Sequence, residues 1–131
     1  MTIKAGWNES GTLTLIASAS VDQYEVVKIS GDGKCAPAGS GEAGVGVAMT
    51  AATATGIAID VDAFNRGGSF PGIMAASVTA GAEVYTFTGG LLKASTTAAS
   101  GVACKLGVCI NGSTSTGDQI VYVTGGAHAT T

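Results

Sequence analysis

Proton transfer near neutral pH is the work of histidine, and this chain has one, His128, in a Gly- and Ala-rich stretch close to its last residue. A Ser-His-acid set or a Cys-His pair needs an imidazole held firmly against its nucleophile, and a terminal tail does not hold one. Cys35, Cys104, Cys109 and His128 make a nominal set of four zinc ligands, but no two have ligand-pair spacing. On one extended strand, Cys104 and Cys109 would lie about 16 Å apart on opposite faces, which also excludes a disulfide between them. Free thiols made in a reducing compartment are the plain expectation for three cysteines. Gly39-Ser40-Gly41-Glu42-Ala43-Gly44 has the form G-x-G-x-x-G. That motif holds a pyrophosphate only where it opens a helix, and β-type sequence follows here, so a loop between strands is expected. Asp60 and Asp62 form the one close acidic pair, with Cα atoms about 6.6 Å apart on a strand. No third ligand stands near them in sequence, and a solvated strand face explains them. The sequence thus predicts no catalytic residue, no metal site and no cofactor.

The composition narrows the remaining classes. Five Leu, eight Ile, twelve Val and three Phe in 131 residues promise a thin core of small side chains. Its modest stability would gain from a partner or an oligomer. The net charge is −3 and the six Lys and Arg are scattered. A chain that neutralises a phosphate backbone clusters its basic residues, so no nucleic-acid partner is expected. No apolar run is long enough to span a membrane. Lys4, the apolar residues 13–17 and Ala17-Ser18-Ala19 mimic a secretion signal, but Asn8, Glu9 and Ser10 interrupt it. The sequons at Asn8 and Asn111 therefore carry no weight.

Short β-branched runs separated by Gly, Ser, Thr and Asp place these residues on strands: 12–17, 24–30, 34–37, 44–49, 56–62, 82–87, 91–95, 102–110 and 119–124. Alternation puts Ile57, Ile59 and Val61 opposite Ala58, Asp60 and Asp62. It likewise puts Val102, Cys104, Leu106, Val108 and Ile110 opposite Lys105 and Cys109. An imperfect repeat relates Ser20-Val21, Glu25-Val26-Val27, Gly33-Lys34, Gly46-Val47 and Ile57-Ala58-Ile59 to a second set. That set is Ser77-Val78, Glu83-Val84-Tyr85, Gly90-Leu91, Gly107-Val108 and Ile120-Val121-Tyr122, at an offset growing from 57 to 63 residues. Asp32-Gly33 and Gly89-Gly90 supply the hairpin turns. The expected fold is all-β: a compact, β-tulip-like small barrel or sandwich built from two pseudo-repeated halves. Pseudo-repeats at about 20–62 and 77–124 make one β-domain (20–124) around a linker loop at 63–76, with a frayed tail at 125–131. Residues 1–19, with Trp7 and the alternating Thr12-Leu13-Thr14-Leu15, read as an extended arm able to add a strand to a partner's sheet.

Three stretches carry a family likeness: Gly44-Val-Gly-Val-Ala48, Gly81-Ala-Glu-Val-Tyr85, and Leu106-Gly-Val-Cys-Ile110 before Gly117-Asp-Gln-Ile-Val-Tyr-Val123. In this cadence the chain resembles the small capsid decoration (cement) proteins of tailed bacteriophages, over most of residues 20–124. The resemblance implies a non-enzymatic β-rich protein on the outer surface of the virion. It would bind the major capsid protein of the expanded head, stabilise the shell, and act as a homo-oligomer, with a trimer favoured. Trp7, Leu13, Leu15 and Ile16 are the expected contacts, through the arm. The competing classes are a secreted module for adhesion or carbohydrate binding, which seven aromatic residues support poorly, and a tail- or head-fibre component.

Overall fold

The computed structural model describes residues 11–66, 68–94 and 104–124. Ten strands follow in order: β1 (Thr12–Ala17), β2 (Val26–Gly31), β3 (Lys34–Pro37), β4 (Gly46–Ala48), β5 (Ala58–Ala63), β6 (Ser69–Ile73), β7 (Glu83–Thr86), β8 (Leu92–Ala94), β9 (Lys105–Cys109) and β10 (Gln119–Thr124). Two single 3₁₀ turns, Phe64–Arg66 and Thr88–Gly90, are the remaining regular elements among the described residues. The first five strands close into a barrel in the order β1-β3-β2-β4-β5, and the last five form a sheet in the order β6-β10-β9-β7-β8.

These two sets are one topology used twice. In each, the first strand runs antiparallel to the last: Thr14 faces Asp60, and Pro71 faces Val121. The first strand also lies parallel to the third, through Ala17 and Cys35 in the barrel and through Met74 and Leu92 in the second sheet. A lone bridge recurs as well, Val21 with Ala52 and Val78 with Ser113. Counterparts are 57 positions apart up to the third strand of each set and 61 positions apart from the fourth. The four-residue difference therefore falls between β8 and β9. On this register Ile59 matches Ile120, not Tyr122, so the offset at the last strand is 61 rather than the 63 read from the sequence.

Two further expectations are corrected. The stretch 63–76 is not a linker loop, because it contains β6, the counterpart of β1. Residues 12–17 are not an arm, because β1 supplies the pairing that closes the first barrel. Residues 1–10 of the arm and the tail at 125–131 lie outside the described residues.

Every buried member of the first barrel's core has a buried counterpart in the second sheet. Val21, Val27 and Ile59 recur as Val78, Val84 and Ile120. Elsewhere size is exchanged: Ala17 becomes Met74, Cys35 becomes Leu92 and Val61 becomes Tyr122, while Leu15 becomes Gly72. A Cβ on Gly72 would stand 2.5 Å from Leu92 Cδ1 and 2.7 Å from Tyr122 Cε1. The tyrosine ring thus fills, from β10, the volume that a leucine fills from β1. Interiors are packed to near-crystal density, so a strand position opposite a large ring must be small.

The copies are joined by a shared core. Val26, Ala38 and Val47 point away from the barrel and pack with Phe70, Leu92 and Tyr122. Phe64 caps this junction with its ring centroid 5.1 Å from that of Phe70 and 6.3 Å from that of Tyr122, T-shaped in both cases. The Gly90 amide donates to Ala38 O at 2.8 Å, and a Cβ at Gly90 would come within 2.7 Å of Glu25 Cβ. Together with its φ of 79°, this reserves the position for glycine.

The Tyr122 hydroxyl is buried with no hydrogen-bond partner among the described residues, and burial pushes the phenol far above its ordinary pKa. A desolvated, unpaired hydroxyl costs stability. Tyr122→Phe is therefore expected to be neutral to stabilising by about 1 kcal/mol in urea denaturation. A loss of stability would show that the hydroxyl is hydrogen-bonded in solution.

Candidate functional site

The residues nominated for chemistry do not converge. Cys35 sits inside the barrel between β1 and β2, and burial raises its thiol pKa, which lowers its reactivity. Cys109 points into the second core and donates from Sγ to Thr79 O at 2.9 Å. Cys104 precedes β9, and His128 lies outside the described residues. No group of three or more metal-ligating side chains exists among the described residues.

Asp60 and Asp62 lie on the outer face of β5, opposite Thr14 and Thr12. The Asp60 amide donates to Thr50 Oγ1 at 3.1 Å, and Thr12 Oγ1 donates to Asp62 Oδ1 at 3.4 Å. A cleft bordered by Ser77, Thr79, Ser113 and Thr114 has no titratable side chain among the described residues that line it.

The glycine-rich run at 39–44 joins β3 to β4 and opens no helix. Its own Glu42 occupies the place of an anion: Oε1 accepts from the Gly39 amide at 2.6 Å, and Oε2 meets Lys28 Nζ at 2.6 Å. The Lys28 ammonium, and then the Gly39 amide, hold this carboxyl below its usual pKa. A phosphate would have to displace a carboxylate that is already partnered.

Of the expected contact residues, Trp7 lies outside the described residues. Leu15 is 2% exposed inside the barrel, so it is core and cannot touch a partner. Leu13 is half-buried at the barrel end, and Ile16 points outward beside Ala58. A period of two on β1 made this split inevitable, since residues 13 and 15 share the inner face and 16 the outer.

The surface that sequence reasoning missed is on the second sheet. Val108, Ile110 and Val123 are 38, 53 and 43% exposed. Val108 is paired directly with Val123, and the Ile110 amide donates to Val121 O at 2.7 Å. Half-buried Pro71 and Ile73 on β6 extend the same face through Val121 and Gln119. Val108 and Ile110 do share a face, but it is the outer one. A bulge explains this, because Val84 pairs with Gly107 while Tyr85 pairs with Lys105, leaving Leu106 as the extra residue. Leu106 turns to the shared core, and Gly107 and Cys109 face inward. In the first copy the corresponding outer positions of β1 and β5 include Thr12, Thr14, Asp60 and Asp62, which are polar, and Ile16, the counterpart of Ile73, which is 37% exposed. The run of exposed apolar residues across neighbouring strands is a feature of the second copy.

These observations define a tandem module of two five-stranded β units whose distinguishing feature is an outward apolar face. A solved structure with the same fold is the head fiber gp8.5 N base of bacteriophage phi29. It shares 14% identity with this chain and matches at a TM-score of 0.70 over 87% of this chain and 92% of its own. At that identity the likeness is one of fold. No protein-family model matches the chain, and no curated protein matches it.

Proposed function

We propose that this chain is a non-enzymatic structural module of a tailed-phage head, bound to the outer surface of the expanded shell as a decoration protein. The observation that supports a structural role on a phage head is the fold likeness to a head-fibre base, because it spans nearly the whole of both chains; the decoration reading adds the sequence resemblance to it. The cadence of residues 44–48, 81–85 and 106–123 supports the same assignment. So does a surface whose most developed feature is an apolar sheet face, of the kind that marks protein–protein contact. The partner is the major capsid protein. Contacts spanning neighbouring subunits would raise the cost of separating them through effective concentration.

A second reading, the base of a head fibre, is favoured by the stated identity of the structural neighbour. Co-sedimentation of the purified protein with undecorated shells, before and after expansion, separates the outcomes. Decoration predicts saturable binding to expanded shells only, at every equivalent capsomer position. Binding at a small subset of positions would favour a fibre base. Absence of binding to either form would overturn both and favour an adhesive module. Deleting residues 1–10, which leaves β1 intact, measures what the segment containing Trp7 contributes.

A further inference from the structure

The two copies differ in what covers them, and the differences fall at equivalent positions. The first copy docks on the second through outward residues of β2 and β4: Val26 and Val47 are fully buried there, and Met49 is half-buried. The counterparts of Val47 and Met49 are Val108 and Ile110, which are 38 and 53% exposed. The receiving surface in the second copy includes Phe70, Thr86 and Leu106. Phe70 packs on Phe64, Thr86 Oγ1 donates to Glu42 O at 3.3 Å, and Leu106 lies in the shared core. The counterparts of these three are Leu13, Ile29 and Val45 at the end of the first barrel. Thr86 is 3% exposed where a copy covers it, and Ile29 is 50% exposed where none does. One chain therefore carries one used pair of docking surfaces and one unused pair.

We propose that the unused pair meets between molecules. The β9–β10 face of one chain (Val108, Ile110, Val123) covers the barrel end (Leu13, Ile29, Val45) of a second copy of the same chain. This repeats between chains the docking that the two copies make within one. The two surfaces differ, so the contact is heterologous and runs head to tail, closing into a ring where the rotation allows. It is also more polar than its internal model. The counterpart of Val26 is Glu83, which is ion-paired with Lys105 at 2.7 Å and accepts from Tyr85 Oη at 3.0 Å. A polar element beside an apolar centre is the composition of an interface that assembles and separates.

The test is sedimentation velocity on the whole chain over a range of concentrations. The unmodified protein is expected to associate, and Val108→Lys and Ile29→Lys should each weaken association at least about tenfold. Circular dichroism and thermal melts should be unchanged. If Val108→Lys proves unstable, Ile110→Lys at the more exposed position replaces it. The decisive measurement is the mixture: the first variant keeps its barrel end and the second keeps its sheet face. Together they should form a one-to-one complex that neither forms alone. A protein that stays monomeric to about 1 mM would overturn the proposal, as would a mixture that gives no complex. Loss of shell binding on Val108→Lys, where the unmodified protein is itself monomeric, would overturn the proposal and assign the face to a capsid subunit.

Discussion

Gly72→Leu and Tyr122→Val are each expected to destabilise the protein, and together to cost less than the sum of the two. Alone, Gly72→Leu forces a branched side chain into space held by Leu92 and Tyr122, for an over-packing cost of about 1–3 kcal/mol. Alone, Tyr122→Val removes a fully buried ring that packs on Phe64 and Phe70, at roughly 2–4 kcal/mol including the cavity. The pair installs the combination that the first barrel already uses, Leu15 with Val61. Residues in contact couple by about 0.5–3 kcal/mol, and here the sign should favour the double variant. Equilibrium denaturation of the four proteins in the cycle measures it. Simple additivity would mean that the two copies reach their cores by unrelated packing.

Gly46→Ala and Gly107→Ala should be among the most damaging single-methyl additions available in this chain. These positions are counterparts on β4 and β9. A Cβ on Gly46 would overlap the carbonyl of Asp62, and one on Gly107 the carbonyl of Val123, themselves counterparts on β5 and β10. The obstruction is backbone held in a ladder, so it cannot turn aside as a side chain would. A cost of about 3 kcal/mol, the upper part of the over-packing range, is expected for each. Gly56→Ala offers a control of the other kind: its added Cβ would meet nothing within 4 Å, and only its φ of 93° opposes it. If Gly107→Ala unfolds at the midpoint of the unmodified protein, the close approach of β9 to β10 is not a fixed feature of the fold.

The repeat was legible because turn glycines and strand valines recur in the same order at a slowly changing offset, and the strand class because β-branched runs are short and punctuated by turn residues. Three features were not legible, and each has a physical cause. β6 reads as a loop because Ser69-Phe70-Pro71-Gly72-Ile73 contains both residues that strands avoid. Pro71 is tolerated because β6 ends its sheet with β10 as its one ladder partner, and Gly72 because Tyr122 needs the room. With β6 unseen, β1 had no counterpart in the second half and read as an appendage. The membership of the outward face was misread, with Lys105 set opposite Val108 and Leu106 beside it, because the bulge at Leu106 shifts alternation by one residue and leaves little trace in composition. Of the residues nominated for contact, Leu15 failed through periodicity on β1. Val108, Ile110 and Val123 were missed because they are hydrophobic, and hydrophobic strand residues are first assigned to a core.

The closure of β1 onto both β3 and β5 has a consequence for the proposed role, in which many copies would share one surface. A protein displayed in many copies on one surface holds its strands close to those of its neighbours, where any open edge is a template for runaway β polymerisation. The first unit leaves no such edge. The second has two, β6 and β8, but the parallel bridge between Met74 and Leu92 turns them toward each other. Neighbouring molecules are thus left to meet through side chains, whose shapes discriminate among partners, and not through main-chain amides, which do not.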